Sequence, residues 1–522
     1  DTLERLFSPP EGMGIKPYDE ARHYFTALWQ EGDRLPTHQD KTLYAMLRPQ
    51  RLLDLIYGFI VFDAGVRKVA RYQQYFAVKH TIDKVTPLRE GQRQGGVVWH
   101  TTGSGKSLTM VMLAKALALN PAVTNPRVVI VTDRVDLDDQ IWETFKACGK
   151  SAKKATTGQN LVRLIRDGKT SVITTIINKF QTVKGKYGVR DENPNIFVLV
   201  DESHRTNYGT IAAQMRRVFP NACYLGFTGT PLLKAEKSTA RKFGGFIHSY
   251  TMREAVEDGT ITPLLYEGRM VPLEQDKKGM QQWFERVTRD LSDAQKADLK
   301  KKMVTNEAIH KASQRLKMIA YDVGSHYKKN WSGTGYKAQL AADSRVSAIL
   351  YRKFLKDFCL VDAEVIMSQP DLREGQEDMD PENVPMVNAF WKEMMTRFGA
   401  EERYVKDLLA SFSREDGVEI IIVVDKLLTG FDEPRNTIIY IDKSLKEHNI
   451  LQAIARVNRV FPGKEFGYIV DYRGVLGQLN EAMNTYDALS EFDPDDVDLT
   501  GAVIDTKEEV AKLPQRHSDL WA

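Results

Sequence analysis

Residues 97–110, VVWHTTGSGKSLTM, constrain this chain more than any other stretch. A short apolar strand over 97–99 runs into Thr-Thr-Gly-Ser-Gly-Lys-Ser, then into an almost wholly apolar run over 108–119 that suits a buried helix. Strand, glycine turn and helix in that order make a phosphate cradle, formed by Thr102, Gly103, Ser104, Gly105, Lys106, Ser107 and Leu108. The glycines let successive backbone N–H groups turn toward the β- and γ-phosphates of a nucleotide, at the positive end of the helix. Lys106 supplies the cation for those oxygens, and Ser107 a ligand for Mg²⁺. The strict pattern asks for glycine five residues before Gly105, and His100 stands there instead.

Composition sets the outer limits. At 522 residues the chain holds two or three domains with proper cores. Its 73 basic and 70 acidic side chains leave a net charge of +3, so a nucleic-acid partner has to be argued from local sites. Cys148, Cys223 and Cys359 lie far apart without a Cys-x-x-Cys pair. That argues against zinc, iron–sulfur or disulfide chemistry and fits a reducing, cytoplasmic setting. No apolar run reaches membrane-spanning length, so no membrane partner is expected, and the residues after Asp1 lack the basic start and apolar core of a signal peptide. The chain opens on Asp1 rather than Met, and a longer parent protein is expected.

Residues 1–61 read as an N-terminal accessory or linker segment, Pro/Gly-punctuated over 7–16 and helix-like in apolar spacing over 18–30 and 43–62. At Arg71-Tyr72-Gln73-Gln74-Tyr75 the character changes, and Gln74 offers an amide donor and acceptor that match the edge of adenine. Beyond the phosphate loop, strands are expected over 128–132, 172–175, 196–200 and 223–227, with an amphipathic helix over 137–145. The run over 196–200 is continuously apolar, as a strand buried on both faces is, and ends in Asp201-Glu202-Ser203-His204. A carboxylate at the end of a central strand beside a phosphate loop is where Mg²⁺ takes a second ligand, which points to Asp201. Glu202 is then the group that orients or deprotonates the attacking water. The next strand ends in Thr228-Gly229-Thr230-Pro231, whose hydroxyls, Thr230 included, suit sensing of the nucleotide. Five strands with crossover helices predict a mostly parallel sheet over 62–250 with its ligand at the carboxyl edge.

A second lobe is expected over 251–474, with an entry strand within 261–272 and a charged helical insertion at about 275–330. Strands at 336–341, 364–367, 418–424 and 437–441 follow, with a helix over 344–358 and an acidic, Pro-containing loop over 371–383. Gly430 and Asp432, in Asp425-Lys-Leu-Leu-Thr-Gly-Phe-Asp432, are candidate nucleotide contacts. Gln452, Arg456 and Arg459 fall at i, i+4 and i+7, one helical face suited to stabilising charge on a γ-phosphate. Residues 475–522, acidic over 491–498, read as the start of a helical region that docks partner subunits.

In order, GSGKS, DESH, TGT, a TG-containing loop and Q-x-x-x-R-x-x-R resemble the motifs of superfamily 2 helicases and translocases. The resemblance implies an α/β fold of two tandem RecA-like parallel-sheet lobes. More narrowly, VVWHTTGSGKS, VTDRVDLDDQ, GFTGTP, DKLLTGFDEP and LQAIARVNR resemble the restriction (R) subunit of type I restriction enzymes, across about 71–474. That family implies an ATP- and Mg²⁺-dependent motor that translocates double-stranded DNA without separating its strands, cuts through a separate nuclease domain, and works with modification (methyltransferase) and specificity subunits. Motif by motif, it implies Gln74 on adenine, Lys106 and Ser107 on phosphate and Mg²⁺, Asp201 and Glu202 on metal and water, and Arg456 and Arg459 on the γ-phosphate. The DNA backbone falls to Arg134, Thr157, Gly158, Thr175, Thr429 and Gly430, small or hydroxyl-bearing residues, apart from Arg134, that position phosphates without reading bases.

Family nucleases use an Asp followed by Glu/Asp-x-Lys, and nothing before Arg71 offers that arrangement. Asp505-Thr506-Lys507 copies the triplet after the motor and reads as decoration. The chain is therefore expected to hydrolyse ATP without cutting DNA by itself. The residues leave open another superfamily 2 motor (a type III restriction motor, a chromatin remodeller or an RNA helicase). They also leave open a non-catalytic module clamped by nucleotide, and a P-loop kinase or metabolic ATPase, which the second-lobe motifs disfavour.

Overall fold

The computed structural model describes residues 37–132, 135–149, 151–180, 189–201, 208–229, 243–269, 285–286, 288–289, 292, 295–296, 312–369, 384–428, 431–445, 447–475 and 503–505. The chain divides into two compact units, Asp1–Asp258 and Gly259–Ala522.

In the first unit, helix α1 (Pro49–Gly58) leads into a hairpin of Ile60–Asp63 and Val66–Val69. The helical spacing expected through residue 62 is thus cut at Phe59, where the backbone leaves the helix and Ile60-Val-Phe enters an extended pair. Helix α2 (Tyr72–Val85) follows. The sheet is then built from β1 (Gly96–His100), α3 (Lys106–Leu119), β2 (Arg127–Thr132), α4 (Val135–Ala147), β3 (Ala152–Lys154), α5 (Gly158–Asp167), β4 (Val172–Ile176), β5 (Ile196–Asp201), α6 (Tyr208–Val218), β6 (Cys223–Thr228) and β7 (Phe246–Tyr250). Its order is β7-β1-β6-β5-β2-β4-β3, parallel at every pairing. The central strands are buried along their whole length because helices cover both faces, which is why they read as unbroken apolar runs. Two strands were not expected, β3 and β7. The first is only Ala-Lys-Lys on a sheet edge, and the second, FIHSY, carries no clean alternation.

The second unit repeats the plan with β8 (Leu264–Gly268), α7 (Ala312–Asn330), β9 (Lys337–Ala342), α8 (Arg345–Phe358), β10 (Ala363–Ile366), α9 (Val384–Phe398), α10 (Glu401–Phe412), β11 (Ile420–Val423), β12 (Asn436–Asp442), α11 (Glu447–Ile454), β13 (Gly467–Asp471) and β14 (Val503–Asp505). The order is β10-β11-β9-β12-β13-β8-β14, again parallel throughout. Asp505, from the tail triplet, is thereby an edge-strand residue opposite Tyr266. Helices α9 and α10, between the acidic loop and β11, were not expected. Most of the supposed insertion and of the acidic loop lies outside the described residues.

His100, at the end of β1, is fully buried and shares a 2.9 Å hydrogen bond between its Nε2 and Nδ1 of His248 on β7. One nitrogen has to donate and the other accept, so the accepting ring is neutral, and burial disfavours charge on the donor as well. Burial, aided by the Lys106 ammonium, pulls the His100 imidazole down to about 3. His248 is pulled well below its ordinary value by burial and by its neighbours His100 and His80. A histidine held neutral in the fold and free to charge when unfolded stabilises fully above the unfolded value, and that stability is lost as pH falls below about 6.5. The predicted loss between pH 7.5 and pH 5 is about 2 kcal/mol for each of the two rings. Urea unfolding at both pH values should show it, with about 2 kcal/mol of the pH dependence removed in His248→Gln; identical dependence in the two proteins would contradict the assignment.

Candidate nucleotide site

The phosphate loop leaves β1 at His100 and enters α3 through two glycines with positive φ, Gly103 at 101° and Gly105 at 88°. Residues with a Cβ rarely adopt that conformation, so the turn selects glycine. Ser104 is buried and its Oγ donates to the Thr101 carbonyl at 2.7 Å, which pins the turn from within. Lys106 opens α3, and its Nζ donates to the carbonyl of His100 at 3.3 Å. The histidine in the glycine position is therefore accommodated: its backbone holds the lysine, and its ring points away into the pair with His248. Ser107 and Leu108 sit half-buried on the first helical turn.

Gln74 is buried on the first turn of α2. Its Oε1 accepts from the Arg71 N–H at 3.0 Å, and its Nε2 donates to the Gly105 carbonyl at 3.2 Å. A Cβ on Gly105 would come within 2.6 Å of that Nε2. The residue proposed for adenine is thus a brace between α2 and the phosphate loop, and a purine edge has to share its amide.

Strand order aligns the remaining motifs with the loop. Asp201 ends β5 opposite Phe227 of β6, and Thr228 of β6 stands opposite Trp99 of β1. The next residue, Gly229, is pressed into the loop: a Cβ there would lie 2.6 Å from both Lys106 Nζ and Thr102 Oγ1. Motif reading chose the flanking Thr230 and passed over this glycine, although a Gly between two Thr directly after a strand was the available signal. Glu202 and Thr230 lie outside the described residues, as do Arg134, Thr429 and Gly430. Ser107 and Asp201 offer a hydroxyl and a carboxylate, hard oxygen donors that suit Mg²⁺, which keeps several waters and substrate phosphates rather than a closed protein cage. The glycine cradle around Lys106 fits a polyphosphate in the same way.

In the second unit the expected helical face is not formed. Helix α11 stops at Ile454, so Arg456 and Arg459 leave it in a turn and a coil. Buried Arg456 donates through Nε to the Gln452 carbonyl at 2.9 Å and through Nη1 to the Phe431 carbonyl at 2.5 Å. Its guanidinium ties the end of α11 to the loop after β11. Arg459 instead pairs with the exposed Asp432, Nε to Oδ1 at 2.9 Å. Among the candidate DNA contacts, Thr157 is exposed and caps α5, its hydroxyl accepting from the Asn160 N–H at 3.1 Å; Gly158 behind it is buried. Thr175 is fully buried, its hydroxyl directed at the Ile176 carbonyl. No helix among the described residues is long and apolar enough to cross a membrane.

Residues 73–297 match the SWI2/SNF2 ATPase family, and residues 334–474 match type I restriction enzyme subunit R domain 3. The type I restriction enzyme HindI endonuclease subunit of Haemophilus influenzae is 31% identical over 478 residues, covering 85% of this chain and 44% of that subunit. A Staphylococcus aureus counterpart, SauCOLORF180P, is 26% identical over 500 residues, covering 90% of this chain and 51% of its own length. The chain thus spans about half the length of the curated relatives it matches. A solved fragment assigned as the HsdR subunit of a type I restriction enzyme from Vibrio vulnificus shares the fold, with a TM-score of 0.53 and 17% identity over 94% of this chain and 82% of that one. The chain is a homologue of the endonuclease (R) subunits of type I restriction enzymes, carrying an SWI2/SNF2 ATPase domain followed by the subunit's domain 3.

Proposed function

We propose that this chain is the motor portion of a type I restriction enzyme: an ATPase that converts hydrolysis into movement along double-stranded DNA, alongside modification and specificity subunits. The observation that carries the reading is Gly229 seated against Lys106 and Thr102. A change in what the lysine holds is felt at once by the segment following β6, so nucleotide state is transmitted mechanically.

In this reading Lys106 and the loop amides hold the β- and γ-phosphates, and Ser107 and Asp201 hold Mg²⁺, which neutralises phosphate charge when bound. Glu202 orients the attacking water. Arg459 leaves Asp432 for the γ-phosphate and stabilises the charge that develops there. Arg456, committed to backbone carbonyls, shapes the loop that carries Asp432. ATP binding draws the two RecA-like lobes together and hydrolysis releases them, so each cycle moves the grip on one DNA strand.

Hydrolysis measured without polymer and with duplex DNA, single-stranded DNA or RNA tests the substrate class. Duplex should stimulate most, and Glu202→Gln should abolish the stimulation; a preference for RNA would overturn the assignment. Lys106→Ala should lose both nucleotide binding and turnover, whereas Arg459→Ala should keep binding and lose at least about 100-fold in turnover, toward the 10³–10⁵ typical of arginine fingers. Equal loss of binding in both variants would remove Arg459 from that role. Arg456→Ala should instead cost about 2–4 kcal/mol of stability, because two buried carbonyls lose their donor. Unfolding midpoints matching the parent would show that the guanidinium is dispensable to the fold.

A further inference from the structure

Four of the charged groups in the first unit fall on the flank of the sheet away from the phosphate loop. Asp138, on α4, is completely buried, with the Thr174 hydroxyl beside its carboxylate but outside strict hydrogen-bond geometry. The Nζ of Lys154, the last residue of β3, stands 3.9 Å from its Oδ2 and also pairs with the half-exposed Asp139. Lys179, three residues beyond β4, donates from its Nζ to the Ala155 carbonyl. Burial pushes the Asp138 carboxyl up, and the Thr174 hydroxyl with the ammonium groups of Lys154 and Lys179 acts against that push. A buried carboxylate is costly unless cations stand against it, so Lys154 is held where it is by a charge that solvent does not reach, and Lys179, anchored on the Ala155 carbonyl, feels the same charge.

The location decides what the lysines are for. All seven strands run parallel, so the ends of β2, β3 and β4 lie on the same edge as the phosphate loop, but the order β1-β6-β5-β2-β4 places four strand steps between β1 and β4. At about 4.8 Å per step that is roughly 19 Å, beyond the reach of a lysine to the nucleotide. Lys154 keeps about a quarter of its side chain exposed, at 24%. Ala155, which accepts from Lys179, lies two residues before exposed Thr157 at the start of α5.

We propose that Asp138 is a positioning residue that fixes the ammonium groups of Lys154 and Lys179 at this edge, where both lysines bind phosphates of the DNA backbone. The inference rests on the duplex-motor reading and extends it to Lys154 and Lys179, outside the quoted motifs, and to Asp138, which lies within VTDRVDLDDQ but was given no role there. An ammonium has three donors, so the bond from Lys179 to Ala155 leaves capacity for a phosphate. The exposed Asp139 is a rim partner that phosphate displaces at little cost.

The test is binding of a short duplex by the full chain, followed by anisotropy across a salt series, together with the DNA dependence of hydrolysis. Lys154→Gln and Lys179→Gln should each weaken binding and flatten the slope of log Kd against log salt by about 0.9, one phosphate contact apiece. Asp138→Asn keeps the shape and removes the charge. It should raise the DNA concentration for half-maximal hydrolysis severalfold while the rate at saturating DNA holds, and Asp138→Glu should restore part of the loss. A purely structural aspartate would lower the unfolding midpoint without moving the salt slope. If the parent chain binds duplex and the lysine variants match its affinity and slope, the positioning role is wrong while the motor reading survives. If the parent binds no duplex at any salt, the motor reading fails and this inference falls with it.

Discussion

The contact on which the nucleotide site depends is the approach of Gly229 to Lys106 and Thr102. A methyl carbon there would stand 2.6 Å from the lysine nitrogen and from the threonine hydroxyl, so any larger residue has to push those side chains aside. Lys106 is thereby boxed between the His100 carbonyl on one strand and the Gly229 backbone on the next. A cation anchored on a main-chain carbonyl is partly pre-organised for phosphate, because less rearrangement is left when charge arrives. The same packing explains the unusual His100. Its side chain is absorbed by the neutral pair with His248, on the far side of β1 from β6, and the loop keeps its geometry without the expected glycine.

Near-neutral composition and a polyanionic partner are compatible because the charges are sorted by place. In the second unit two buried carboxylates are tied to arginines and tyrosines. Asp442 at the end of β12 accepts from Arg315 at 2.6 Å, Arg473 at 2.8 Å and Tyr351 at 2.5 Å. Both carboxylate oxygens of Asp322 on α7 accept from Nη1 of Arg269, and one accepts from Tyr472 at 2.6 Å. These networks join strand ends to helices and fix the sheet edge from which the loop carrying Asp432 departs. Full satisfaction is what makes such buried charge tolerable, since losing one partner leaves another stranded.

Much of the architecture was legible because parallel strands covered on both faces must be apolar throughout. The runs at 128–132, 196–200 and 437–441 declared themselves, and the glycines of the phosphate loop declared the turn. What stayed hidden was set by tertiary context. Strand β3 is polar and owes its conformation to an edge pairing with β4; β14 likewise exists only against β8. The 3.6-residue spacing of Gln452, Arg456 and Arg459 suggested one continuous helix, yet α11 ends at Ile454, where Arg456 turns back on the Gln452 carbonyl. Gln74 carried the right chemistry for a base edge, but only the fold shows that its amide already spans Arg71 and Gly105. Asp138 lay within the amphipathic helix expected over 137–145 and drew no reading of its own; burial singles it out.

The central claim is that hydrolysis at Lys106 drives directional movement on intact duplex. Its most direct measurement is displacement of a third strand from duplex DNA by the chain assembled with the modification and specificity subunits proposed to accompany it, at several distances between the loading site and the triplex. The account predicts an ATP-dependent lag that lengthens in proportion to distance and vanishes with Lys106→Ala. A lag independent of distance, or rapid ATP turnover with the triplex left in place, would contradict it.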